Sequence, residues 1–470
     1  MNKLILSLTF LTSFSLIAET QEEQGHDFLV NGNYIGCGIP LGVMKRAIAA
    51  KTLIPPTVMN SFFPMAASAV FKPSQLASRN ADNTGVEASF NVFDTPRGVK
   101  AMNFNCLSCH GDSIDGQYLI GVGNRTRDFT QDLRSFTNLL PLFAWTPAEQ
   151  KEVAVFQRAM TAIAPYVQTK TVGVNPAVNL TYALFANRQA DDFLWSKELT
   201  LAPPSTDFPP VDVPPWWRMG QKNSMFYNGE FTKNHHRIMT LASTLCIEDA
   251  AAMQALEEPF RNVEAYIKSL KAPVYPKAID QTLAAAGKPV YEANCQKCHG
   301  SYGDDGTISF TDRIIPIEKI GTDPALMEQQ TGPENARFRA WGEESFTRLY
   351  NESFGVEKHL GYVVPPLNGV WATAPFLHNG SVPTLEAVLN SKIRPKYWEK
   401  LEVATHRDYD VENVGVKFKA LSSGQSNALP LLKRYIYDTT LKGYGNQGHT
   451  YGDQLSEGER KALIEYLKTI

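Results

Sequence analysis

The sequence predicts a mainly α-helical fold made of two related halves, with long irregular loops and a little β. Three observations predict it. A Cys-x-x-Cys-His motif occurs twice, at Cys106–His110 and at Cys295–His299, 189 residues apart. A similar helical segment ends each half, Ala265-Tyr266-Ile267-Lys268-Ser269-Leu270 and Glu465-Tyr466-Leu467-Lys468-Thr469-Ile470. Runs of period-two alternation, the strand signal, are few, and 29 Pro and 32 Gly are spread along the chain without low complexity.

Composition bounds the function. The 470 residues carry 45 Lys+Arg and 48 Asp+Glu, a net charge of −3. With no basic excess, a nucleic-acid binder held by phosphate electrostatics is excluded. A 43% hydrophobic, 20% charged chain is globular. At about 150 residues per domain, two to three domains are expected.

The elements follow in order. Lys3, an uncharged apolar run from Leu4 to Ile17, and Glu19, Glu22 and Glu23 beyond it have the pattern of a signal peptide ending at Ala18. Residues 1–18 are therefore expected to be removed, leaving a periplasmic or secreted protein. No later run is long and apolar enough to be an integral membrane segment. Residues 19–93 lack a Cys-x-x-Cys-His motif and are assigned to an N-terminal extension, wrapping the first domain or forming an extra layer. The first domain is assigned to 94–271. Thr146-Pro147-Ala148-Glu149 is an N-cap, a Pro at the first helical position and a capping-box Glu, opening a helix to about Ala164. Six prolines from Pro203 to Pro215 mark an extended loop. Pro273 and Pro276 mark a linker at 272–280. The second domain, 281–470, opens with a helix leading into Cys295. It closes with a helix capped by Ser456 and Glu459, whose Leu463, Leu467 and Ile470 form the core-facing stripe.

The motifs carry the chemistry. Cys-x-x-Cys-His is the attachment signature of c-type haem. Two residues between the thiols let one helical turn present both sulfurs to the two vinyl groups, and the adjacent His is the proximal iron ligand. A redox dithiol wants a βαβ context, and a zinc site wants a matched ligand pair nearby; neither accompanies these motifs. Two covalent haem c groups are expected, on Cys106, Cys109 and His110 and on Cys295, Cys298 and His299, each in a cytochrome c-like domain. Cys37 and Cys246 remain as a disulfide in an oxidising compartment, or as two separate buried thiols.

Pro365-Pro366-Leu367-Asn368-Gly369-Val370-Trp371-Ala372-Thr373-Ala374-Pro375-Phe376-Leu377-His378-Asn379-Gly380, the paired haem motifs and Gly448-His449-Thr450-Tyr451-Gly452 together resemble the bacterial di-haem cytochrome c peroxidase superfamily. That superfamily includes the enzymes that mature methylamine dehydrogenase. Within it the chain most resembles the rubber-oxygenase branch and its di-haem relatives, from about residue 286 onward and more weakly at Asn105–His110 and Trp216–Met239. The resemblance implies a sixth ligand to the second iron just before the last helix. The matching residue is His449, giving bis-His ligation with His299. His378 is the rival, or a loop His bonding a haem propionate. The resemblance places reactivity at the first haem, ligated by His110. Its distal side is sought among Trp216, Trp217, Arg218, Met219, Phe226, Tyr227, His235 and His236. His235 or His236 is a candidate acid–base group or sixth ligand; the plainer reading is a helix pair with one His at the surface and one partly buried. Trp216 and Trp217 are candidate relays between haems or anchors of a loop against the core. Glu230 is a proton-transfer candidate or a solvated side chain. Asp304-Asp305-Gly306 is a weak calcium suggestion or a surface turn.

Three functions follow as expectations. The first is an oxidoreductase using peroxide or dioxygen at the N-terminal haem, with or without a small organic substrate. In it the C-terminal haem exchanges electrons with a small redox protein. The second is an electron carrier with both irons six-coordinate. The third modifies a partner protein, as the maturation enzymes do. His449 departs from the Tyr those enzymes use there.

Overall fold

The fold is described from a computed structural model covering residues 19–50, 70–232 and 234–470. The expected signal peptide, 1–18, lies outside the described residues. Among the described residues helices make up 41%, with short strands and no closed barrel.

Each half is closed by a pair of packed helices. In the second half, helix Gln281–Asn294 packs on helix Glu457–Leu467. In the first, helix Gln21–Asn31 packs on helix Glu257–Ser269. Both crossings use a glycine for close approach. A Cβ at Gly25 would overlap the Asn262 carbonyl, and one at Gly287 would overlap the Ala462 carbonyl. The domain boundary expected at residue 94 therefore separates two helices that pack together, because the N-terminal stretch supplies the first half's opening helix.

Capping fixes the ends of these helices. Thr20 with Glu23, Thr146 with Glu149 and Ser456 with Glu459 each form a reciprocal capping box. Helix Pro147–Ile163 ends within a residue of the expected place. No regular element lies between Ser269 and Gln281, the expected linker.

The strands are local. Ile39–Pro40, Lys100–Phe104 and Phe90–Asp94 form one small antiparallel sheet in the order given, and Lys100–Phe104 leads straight into the first Cys-x-x-Cys-His turn. Beneath it Cys37 and Cys246 form a disulfide spanning 209 residues, inside a core with Val43, Met102, Phe156 and Met160. The halves share a second core, in which Tyr182, Phe185 and Phe193 meet Phe338, Trp341 and Phe354. A buried ion cluster also ties them together, with Arg125 held between Asp112 and Asp408 at 3.1 and 3.2 Å.

Candidate functional site

The two motifs open into one continuous cavity of about 1360 Å³, above the roughly 300–1,000 Å³ of an ordinary ligand pocket. Its walls include all four motif cysteines, His110, His299 and His449. The four thiols are unpaired, and burial pushes Cys106 and Cys295 up to about 11.

The first motif hangs on a network of amides. Asn105 accepts from the Leu107 N–H at 2.9 Å and donates to the Ala88 carbonyl and to Asn91 Oδ1, both at 2.8 Å. The Cys106 N–H donates to the Tyr34 hydroxyl at 2.9 Å. The Leu107–His110 turn then aims the His110 ring at Trp216, stacked at 4.6 Å and 19°. In the second motif, helix Gln281–Asn294 delivers Cys295, and the Gln296–His299 turn ends at Gly300, whose φ is +83°.

The second motif has its ligand geometry in place. His299 Nδ1 donates to the Pro365 carbonyl at 2.8 Å, which leaves the Nε2 lone pair free for a metal. The His449 ring faces it with centroids 6.2 Å apart at 62°. An imidazole nitrogen sits about 2 Å from a metal, so rings on opposite sides of one iron have centroids roughly 6 Å apart. His449 is held by its backbone. Its N–H donates to the Ile320 carbonyl at 2.8 Å, and its φ is +46°. Arg394 grips the same loop through the Asn446 and Gly448 carbonyls, each at 2.7 Å, and the His449 carbonyl at 3.1 Å. Gly448, at φ +76°, passes so close to Gly321 that a Cβ would overlap its carbonyl carbon. Burial takes His299 and His449 down to about 4 and His110 to about 3, so all three are held neutral, the ligating form.

The halves repeat one another beyond the cysteines. Met225-Phe226-Tyr227-Asn228-Gly229 and Phe376-Leu377-His378-Asn379-Gly380 form the same loop, 151 residues apart (225 to 376). Phe226 and Leu377 have φ of +63° and +67°, and Gly229 and Gly380 have +68° and +70°. Each loop is closed by one antiparallel bridge, Met225 to Phe231 and Phe376 to Val382. At the same offset, the Pro214 carbonyl acts on His110 as the Pro365 carbonyl acts on His299, though without a full hydrogen bond. The two loops meet at the seam, where the Tyr227 and His378 rings lie 6.2 Å apart.

Not every expected residue reaches the cavity. Phe226, Tyr227 and His378 line it; His235, His236 and Trp217 do not. Both His235 and His236 are buried, contrary to a half-exposed pair, and both are engaged elsewhere. His235 Nε2 bonds the Asn223 carbonyl at 3.0 Å, and His236 Nδ1 bonds Glu264 at 3.1 Å. Trp217 Nε1 donates to the Asn368 carbonyl at 2.9 Å, anchoring the seam, while its neighbour Trp216 takes the cavity wall. His378 stacks on Tyr362 at 4.2 Å and 25°, so His449 and not His378 opposes His299. Glu230 is buried, not solvated, and accepts from Gln330 and Asn335 at 3.1 Å each. Asp304 and Asp305 lie in an exposed turn, paired with Lys288 and Thr307. Among the described residues no group of three acid, His or Cys side chains is placed to hold a metal ion.

Two residues were not found from sequence, Asp212 and Arg394, and a third, Arg218, was found only as a distal-side candidate. Asp212 lines the cavity, accepts from the Tyr227 hydroxyl at 3.1 Å, and is pushed up to about 8 by burial. Arg218 lines it and donates through Nε to the Asn368 carbonyl at 3.3 Å. Arg394 buttresses His449 from outside. Isolated charged residues carry no spacing signal.

Comparison with known proteins gives two relatives and one family match. Two uncharacterized proteins of Sinorhizobium fredii are similar. The protein y4iJ is 30% identical over 262 residues, 43% of this chain and 41% of its own length. The protein y4iM is 26% identical over 304 residues, 55% of this chain and 64% of its own length. Each match thus spans less than two thirds of the relative. Residues 361–399, which carry Pro365 and the His378 loop, match the family described as RoxA-like, cytochrome c-like, and so relate the chain to rubber-oxygenase-like cytochromes, haem c proteins of electron transfer.

Proposed function

We propose that this protein is an exported di-haem c-type cytochrome oxidoreductase of two cytochrome c-like domains. Peroxide or dioxygen is handled at the N-terminal haem, and electrons enter through the C-terminal haem from a small redox protein. The observation that carries this reading is an asymmetry within one cavity. His299 faces a second histidine, whereas the ring against His110 is Trp216. Bis-His ligation closes an iron and suits electron transfer; a reactive iron needs an open sixth position.

Bound haem supplies the one-electron and peroxide or dioxygen chemistry. The chain's own residues bind and orient it. Cys106 with Cys109, and Cys295 with Cys298, tether each macrocycle, and His110 and His299 present neutral imidazoles. Phe226, Phe231 and Tyr227 wall the first site with rings that exclude water. Tyr227 and Asp212 hold protons at the cavity wall, Asp212 protonated at neutral pH because burial raises its pKa.

Absorbance of the alkaline pyridine complex tests the haem count, and peroxide- and oxygen-consumption assays with a chemical reductant test the activity. Two haems per chain and turnover that is lost in C106S/C109S, which keeps one haem, support the proposal. Two haems with no reaction toward either oxidant would favour the pure electron carrier.

A further inference from the structure

Arg218 is a buried cation without a counter-ion. It follows Trp216 and Trp217 in a short 3₁₀ turn, Trp216–Gln221, and lines the cavity. Its Nε donates to the Asn368 carbonyl of the other half at 3.3 Å, and its Nη2 is buried with no partner. Other buried arginines leave the inner Nε unpartnered, as Arg188 and Arg125 do, but the outer ends of their guanidinium groups are engaged. Arg188 donates to the Phe193 carbonyl at 2.9 Å and the Thr244 carbonyl at 2.6 Å, and Arg125 pairs with two aspartates. A buried guanidinium left unpaired is costly, so Arg218 implies an anion that completes it.

The place of Arg218 narrows the anion. Its charge is felt by His299 and Tyr302 on one side and by Tyr227 and Asp212 on the other. It therefore stands where the two halves of the cavity join. The repeat offers no second copy, because the position 151 residues on is Gly369, where a Cβ would come within 3.0 Å of Trp217 Nε1. Asp212 is the carboxyl group that interacts with it, but burial keeps that group protonated at neutral pH and it is committed to the Tyr227 hydroxyl, so it supplies no counter-charge. Each haem c carries two propionates, carboxylates that a planar guanidinium can bind through two parallel hydrogen bonds.

We propose that Arg218 clamps a haem propionate at the junction of the two haem sites, a single positioning residue that fixes the haems relative to each other and raises the potential of the haem it holds. This rests on the di-haem reading above. A positive charge beside a haem favours the reduced form, so its removal lowers the potential.

The test uses holo-protein with its haem count measured first. Wild type, R218Q, R218K and D212N are compared by spectroelectrochemical titration and by the propionate bending bands in resonance Raman spectra. R218Q is expected to keep two haems, shift one propionate band and lower one midpoint potential. R218K is expected to retain most of the potential while still shifting the band, since it keeps the charge but not the planar fork. D212N replaces one neutral group with another and is expected to leave the potential unchanged at neutral pH. Unchanged bands in both Arg218 variants, or the same downward shift in D212N, would overturn the proposal. Fewer than two haems in the wild type would instead defeat the di-haem reading, a distinct failure. If R218Q does not fold, the band shift in R218K decides.

Discussion

At the scale of single residues, His449 is the most constrained side chain of the site. A non-glycine residue at φ +46° is sparsely populated backbone, of the kind retained where a site needs it. The Gly448 approach to Gly321 and the grip of Arg394 pay for it. G448A should cost roughly 1–3 kcal/mol, measured by chemical denaturation, and should disturb the second haem's absorption spectrum while leaving the first unchanged. Glu230 gives a pH signature. Burial raises its carboxyl from 4.5 to about 7. Below pH 4.5 both folded and unfolded states hold the proton. Between pH 4.5 and 7 the unfolded state releases it first, so the stability from this group is lost as pH rises through that window, by up to roughly 3 kcal/mol. E230Q should flatten that part of the stability–pH curve; an identical slope would remove Glu230 from the account. Cys-x-x-Cys-His was legible because spacing and chemistry coincide in it. His449 was legible only through family resemblance. Asp212 was missed, and the burial of Glu230 and Arg218 was not foreseen, because burial of a lone charged residue is decided by partners far along the chain: Asn335 for Glu230, Asn368 for Arg218.

At the scale of elements, caps were the most readable feature. The boxes at Thr146 and Ser456 opened helices where expected, and the box at Thr20 with Glu23 carried the same signal. S456A should lower stability by about 1 kcal/mol, seen as a shift in the denaturation midpoint without loss of haem. Replacing Gly287 with valine should do more, because no side chain fits against Ala462. Less readable was the pairing of helix Gln21–Asn31 with helix Glu257–Ser269. In the second half the opening helix runs directly into its cysteine. In the first, a strand layer separates Asn31 from Cys106, so proximity in sequence no longer marked the pair. The 151-residue loop repeat was present as Asn-Gly in both segments. Its flanking residues differ, Phe-Tyr against Leu-His, and the shared left-handed backbone is what makes it plain.

At the scale of the whole molecule, two halves built on the same plan share one cavity, one apolar seam and one buried ion cluster. The Cys37–Cys246 disulfide locks the N-terminal layer to the first half across 209 residues. Its loss through C37A/C246A should cost about 2–4 kcal/mol and lower the unfolding temperature without changing haem spectra, since neither cysteine lines the cavity. The mostly helical character was legible in the scarcity of strand patterns, but the single continuous cavity was not, because a wall built from both halves has no local signature. The central claim is that one iron is closed by His449 and the other is not. Low-temperature EPR of the ferric protein tests it most directly. The account predicts one high-spin and one low-spin signal, with the low-spin signal lost in H449A and the high-spin one retained. Two low-spin signals in the wild type, or a low-spin signal that survives in H449A, would contradict it.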